Sequence, residues 1–86
     1  MLVIYQPNSE HATLTESYIR DLKRQHDGLN VVTMNADSPE GTNLIELYDI
    51  VDYPAILAMT DDEQVLQLWQ GPQLPLMNDV AYYAQS

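Results

Sequence analysis

The sequence predicts an α/β domain of order β-α-β-α-β-β-α, with a four-stranded mixed sheet and helices on both faces. Three observations carry that expectation. Ala55 to Met59 is an unbroken apolar run with no room for a helix before the polar interval Thr60 to Gln64, so it is expected as a buried strand. Val65 to Trp69 follows with strand composition, which makes the two an antiparallel hairpin about a loop at Asp61 to Gln64. Near the N-terminus, a segment of about four helical turns separates the apolar run Leu2 to Tyr5 from Val31, Val32 and Met34. Strand, helix and strand in that order imply a right-handed crossover between parallel strands.

In chain order, Pro7-Asn8 is a turn dipeptide, so the first strand stops near Gln6. Asn8 or Ser9 can cap the following helix, and Thr13 with Glu16 offers a second capping pattern one turn later. Leu14, Tyr18 and Leu22 recur at a spacing of four with Ile19 beside them, which predicts one apolar stripe on a helix from about Ser9 to Gln25. Arg20, Lys23, Arg24 and His26 crowd its end, where positive charge complements the helix dipole, and Glu16 with Arg20 is an i, i+4 pair. Asp27-Gly28 ends the helix, with Gly28 expected in the left-handed region. Asp37-Ser38-Pro39 breaks the second strand. A second helix from Pro39 or Glu40 to about Asp49 has Leu44, Ile45, Leu47 and Tyr48 as its apolar positions, with Gly41 an unfavourable residue near its start. Gly71-Pro72 stops the fourth strand. Pro75 suits the first turn of a third helix, along which Leu76, Met77, Val80, Tyr83 and Ala84 repeat at helical spacing.

Eighty-six residues enclose a single core, so residues 1–86 are expected as one domain. The longest apolar run is far short of the ~20 residues that span a bilayer. Met1 leads directly into the first strand with no charged and hydrophobic leader, which predicts a cytoplasmic chain, or a domain cut from something longer. Three cations face thirteen carboxylates, a formal charge of -10. Arg20, Lys23 and Arg24 are the only cations, and residues 27 to 86 carry ten acids and no base. Such a surface repels phosphate backbones and anionic lipid, which argues against nucleic acid and membrane partners and for solubility or a basic protein partner. The absence of cysteine removes disulfides, thiol catalysis and thiolate metal sites together.

The element order, with Tyr48-Asp49-Ile50-Val51-Asp52-Tyr53-Pro54-Ala55-Ile56-Leu57 leading into a hairpin, a glycine at Gly71 and a closing amphipathic helix, resembles the C-terminal half of thioredoxin. In size the chain is closer to glutaredoxin. The resemblance to this thioredoxin-like family covers most of the chain. It implies that Pro54 is the family's cis-proline and that Tyr53 is the residue whose backbone pairs with an extended substrate. It places Asn8, Ser9, Glu10 and His11 in the family's active-site loop, with Ser9 on the first catalytic cysteine, Ala12 on the second and Val3 where thioredoxin keeps a buried carboxylate. Gln70, Gly71 and Pro72 would rim the same groove. Tyr53 replaces the threonine that precedes the proline in glutaredoxin, and Gly71-Pro72-Gln73 replaces its paired-glycine turn, so glutathione binding is not implied; without cysteine, neither is a cysteine-ligated iron–sulfur cluster.

Disulfide exchange needs a thiolate, and none exists. Ser9 reads better as a helix cap than as a substitute nucleophile. His11 and Glu10 at one end of the first helix and His26 beyond the other are about 20 Å apart at the helical rise, too far to share a metal ion. Asp61, Asp62 and Glu63 lack the spacing of a calcium loop and read as a solvated hairpin tip. Trp69, Tyr53, Tyr82 and Tyr83 either form an aromatic binding surface or, for Trp69 and Tyr83, pack in the core. Two functions follow. The first is a redox-inactive protein-binding or chaperone-like module, without metal or cofactor, that takes an extended segment of a protein or peptide, a basic one where charge selects it, by strand addition beside Tyr53-Pro54. The acidic, cysteine-free thioredoxin-like chaperones of hydrogenase maturation resemble such a module. The second is a small-molecule or enzymatic role at the same cleft, with His11 and Glu10 as acid and base.

Overall fold

The computed structural model describes residues 1–60, 62 and 64–84, without the side chain of Ala84. The elements are β1 (Leu2–Tyr5), α1 (Ala12–Gln25), β2 (Val32–Asn35), α2 (Pro39–Leu47), β3 (Ala55–Met59), β4 (Val65–Gln70) and α3 (Met77–Ala84). The strands form one mixed sheet in the order β2-β1-β3-β4. β1 runs parallel to β2 and antiparallel to β3, and β3 runs antiparallel to β4. The two central strands therefore bury both faces, which is why their sequences, LVIY and AILAM, carry no polar alternation. Val3, Tyr5 and Ile56 share one core with Ala12, Tyr18, Ile19 and Leu22 of α1 and Val80 of α3. On the opposite face Leu2, Ile4, Ala55 and Leu57 share a core with Ala36 and Ile50, and Leu44, Ile45 and Tyr48 of the α2 segment pack against it. Among the described residues no helix is long and apolar enough to cross a membrane.

Helix α1 buries Tyr18, Ile19 and Leu22 as its sequence pattern predicts and differs from that pattern at its start and at one position of its face. It begins at Ala12, with His11 as N-cap and no side-chain cap. Ser9 does not cap it: its N–H and its hydroxyl both donate back to the Gln6 carbonyl, at 3.1 and 2.6 Å, closing a turn that competes with the helix. The buried face is Ala12, Thr15, Tyr18, Ile19 and Leu22. Leu14, expected on the apolar stripe, is 68% exposed. Thr15 takes the inward position because its Oγ1 donates to the His11 carbonyl at 2.9 Å, which satisfies the hydroxyl within the helix. Glu16 accepts from the Tyr5 hydroxyl at 2.8 Å, so the side chain expected to pair with Arg20 instead ties the helix to the sheet. The ion pair found among the described residues is Arg24 with Asp21. Gly28 is not left-handed; the positive φ values belong to Asp49 (54°) and Gly71 (113°).

Helix α2 starts at a tight knot. Ser38 Oγ accepts from the Gly41 N–H at 3.0 Å and donates to the Asn35 carbonyl at 2.7 Å, and Asn35 Oδ1 accepts from the Asp37 N–H at 2.8 Å. The helix ends two residues earlier than expected. Asp49 in the left-handed region sends its N–H to the Glu46 carbonyl at 3.4 Å, and the Ile50 N–H reaches the Ile45 carbonyl at 3.0 Å. Those two bonds form a Schellman closure, with buried Ile50 as its apolar anchor. Leu47, expected inward, is 68% exposed. Of the predicted hairpin loop, Asp61 and Glu63 lie outside the described residues, as does the Ala84 side chain of the third helix. That helix starts at Met77 rather than at Pro75, and Leu76 is exposed.

Pro75 is instead a docking point. The buried Tyr18 hydroxyl donates to its carbonyl at 2.8 Å, joining α1 to the segment that enters α3. Burial, with the charge of Asp79 second, pushes the Tyr18 phenol up to about 12. A folded value above the ordinary ~10 means that this contribution to stability is whole below about pH 10 and is lost as pH rises toward about 12. Tyr18→Phe is therefore expected to cost about 1 kcal/mol at neutral pH and to lose less of its remaining stability between about pH 10 and pH 12 than the wild type does. Urea midpoints measured across that range check it; parallel alkaline losses in the two proteins would refute it. Tyr5, raised by burial and then by its bond to Glu16, titrates as a common background in both.

Candidate functional site

The pairing register decides which loops meet. Ile4 faces Ala55 across β1 and β3, and Ala55 faces Gln70 across β3 and β4. One step beyond those pairs, the chain leaving β1 at Gln6, the Tyr53-Pro54 segment entering β3 and Gly71 leaving β4 lie at the same end of the sheet. The Gly71 N–H donates to the Pro54 carbonyl at 3.2 Å, extending the ladder to that rim. The Tyr53–Pro54 peptide bond is cis. Asn35 of β2 pairs with Tyr5, which brings Asp37 to the same end. The loops that carry Asn8, Ser9, Glu10 and His11, then Tyr53 and Pro54, then Gln70, Gly71 and Pro72 thus leave the sheet at one end, as do Gln6, Asp37 and Asp52.

The loop after β1 is held by its own side chains. His11 Nε2 accepts from the Gln6 N–H at 3.3 Å, which requires that nitrogen unprotonated. Ser9 is turned onto Gln6 as described, while Asn8 and Glu10 project to solvent. A depression of about 290 Å³ is lined by Gln6, Asn8, Ser9 and Asp37. It lies at the carboxyl ends of the parallel strands, where ligands of open α/β sheets generally bind.

The loop before β3 is fastened from the other side. Gln70 Oε1 accepts from the Val51 N–H at 2.8 Å and from the Asp52 N–H at 3.2 Å. Asp52 Oδ1 in turn accepts from the Tyr53 N–H at 2.8 Å. The other carboxylate oxygen lies against Gly71, where an added Cβ would come within 3.3 Å of Oδ2. The main-chain donor expected to be open at Tyr53 is therefore held by a neighbouring carboxylate. The aspartate directly before Tyr53-Pro54 was visible in the sequence, but its orientation onto that N–H was not.

The aromatic residues do not form one surface. Trp69 packs toward the core shared with α1, with Tyr83 edge-on at 5.7 Å and Tyr82 edge-on to Tyr83 at 5.2 Å. Tyr53 packs against the core on the α2 face. His26 lies beyond the C-terminal end of α1, away from His11, and its Nε2 is buried without a partner. Among the described residues no group of three or more His, Asp or Glu side chains is placed to hold a metal ion. A larger groove of about 540 Å³ lies elsewhere, on the α2 face, and includes Val32, Met34, Leu44, Leu47, Tyr48 and Met59. No family model, curated protein or solved structure matches the chain.

Proposed function

We propose that the chain is a redox-inactive, thioredoxin-like binding module that receives an extended segment of another protein at the rim formed by Asn8 to His11, Tyr53-Pro54 and Gln70 to Pro72. The observation that carries the reading is the register, which gathers three loops distant in sequence at one end of a mixed sheet of order β2-β1-β3-β4. Strand addition uses main-chain donors and acceptors rather than a nucleophile, and so suits a site without a thiol. The acidic surface favours a partner carrying positive charge. Acid–base chemistry by His11 and Glu10 is the weaker reading, because His11 Nε2 is committed to the Gln6 N–H and would have to be released first.

Asn8 is exposed at the rim, and a bulky side chain there fills the depression that it lines with Gln6, Ser9 and Asp37 without entering either core. Affinity capture from the source cell with wild type, Asn8→Trp and the exposed control Leu47→Trp is expected to yield a protein that wild type and control retain and Asn8→Trp loses at least tenfold. A partner retained equally by all three, or none retained by the wild type, overturns the reading.

A further inference from the structure

Resting on that reading, we propose that Asp52 selects the partner, and that the bound segment carries an arginine or lysine whose cation takes the Asp52 carboxylate from the Tyr53 N–H. The backbone of this loop is not free to yield. Gln70 Oε1 holds the N–H groups of Val51 and Asp52, and the Gly71 N–H is fixed on the Pro54 carbonyl. What can move is the exposed Asp52 side chain, whose Oδ1 occupies the Tyr53 N–H at 2.8 Å. A neutral segment that pairs with Tyr53 must exchange a charge-assisted hydrogen bond for an ordinary amide–carbonyl bond and leave the carboxylate with water alone, which is a net loss.

A segment bearing a guanidinium or ammonium beside its pairing residue changes that balance. The carboxylate swings onto the cation, the freed Tyr53 N–H donates to the incoming carbonyl, and every polar group keeps a partner. Nothing within the protein competes from nearby in sequence, since residues 27 to 86 contain no lysine or arginine. The cations are on α1, where Arg24 pairs with Asp21. Asp52 thus acts as a gate that opens for positive charge, which is narrower than a general attraction to an acidic surface.

The test uses a displayed library of random linear decapeptides, sorted against wild type, Asp52→Asn, Asp52→Ala and Asn8→Trp. Wild type is expected to enrich peptides with arginine or lysine at one fixed position and to bind them about tenfold more tightly than the same peptides with norleucine there, a difference of about 1.4 kcal/mol. Asp52→Asn keeps the shape and removes the charge, and is expected to lose the positional preference while still enriching peptides. Asp52→Ala uncovers the Tyr53 N–H and is expected to bind the norleucine peptides more tightly than wild type does. Enrichment by wild type without a fixed basic position, or a basic position that persists in Asp52→Asn, overturns the role of Asp52 and leaves the groove standing. No enrichment by wild type, or equal enrichment by Asn8→Trp, overturns the groove and this inference with it.

Discussion

Gly41→Ala is expected to destabilise the protein by about 2 kcal/mol, an overpacking cost of about 3 kcal/mol, the upper end of the usual range, less what alanine's helix propensity returns. A Cβ at this position would lie 2.1 Å from the Asn35 carbonyl oxygen, 3.0 Å from its carbon and 3.1 Å from Ser38 Oγ. The first two are backbone atoms at the end of β2, and they cannot rotate aside as a flexible side chain does. The Asn35 carbonyl also accepts from the Ser38 N–H at 3.0 Å and from the Ser38 hydroxyl at 2.7 Å, so moving it breaks the cap of α2. Alanine's better helix propensity returns only about 1 kcal/mol of the loss. In a domain of this size the net change of about 2 kcal/mol corresponds to a fall in Tm of roughly 8–16 °C. Gly28→Ala is the control, because nothing lies within 4 Å of its added methyl and its φ is not positive. Thermal and urea unfolding of both variants decide the matter; a Gly41→Ala protein as stable as wild type would show that α2 does not seat against β2 as described.

Leu22→Ala is expected to cost about 2–5 kcal/mol, whereas Leu14→Ala on the same helix is expected to change stability by less than about 0.5 kcal/mol. The spacing of four residues treats the two leucines alike. In the fold Leu22 is fully buried against Val3, Tyr5 and Ile56, and Leu14 is exposed. Truncating Leu22 removes the transfer energy of its methyl groups and leaves a cavity that the sheet on one side and the helix backbone on the other cannot fill. Comparable losses for the two variants in urea unfolding would mean that α1 is rotated from its described orientation. Stripe and packing agree at Tyr18, Ile19 and Leu22 and differ at one position, about 100° around the helix. Thr15 holds the inward place that Leu14 was expected to share.

These differences have a common origin. The stripe on α1 was drawn from side-chain type, and a threonine whose hydroxyl bonds back to the preceding turn is an apolar residue for packing purposes. The start of α1 was placed at Ser9 from capping preference, and a local turn onto Gln6 used the same hydroxyl. Gly41 looked like a weak helix residue and proves to be a close backbone contact, a property set by a strand six residues earlier. At the candidate site the loops that carry the residues named from the sequence leave the sheet at the same end. Gln70 has a role there that depends on a side chain crossing between loops 18 and 19 residues apart, which no local pattern contains.

By itself the sequence determined the order of elements, the two central strands and the absence of thiol chemistry, because buried strands must be continuously apolar and a missing sulfur is missing in any fold. It also determined the formal net charge of -10. Only the tertiary structure decided that Thr15 rather than Leu14 completes the inward face of α1, why Gly41 must be glycine and that Gln70 holds the N–H groups of Val51 and Asp52. Those outcomes are set by how one segment seats against the next, where packing and the need to satisfy each polar group outweigh the preferences of any single stretch.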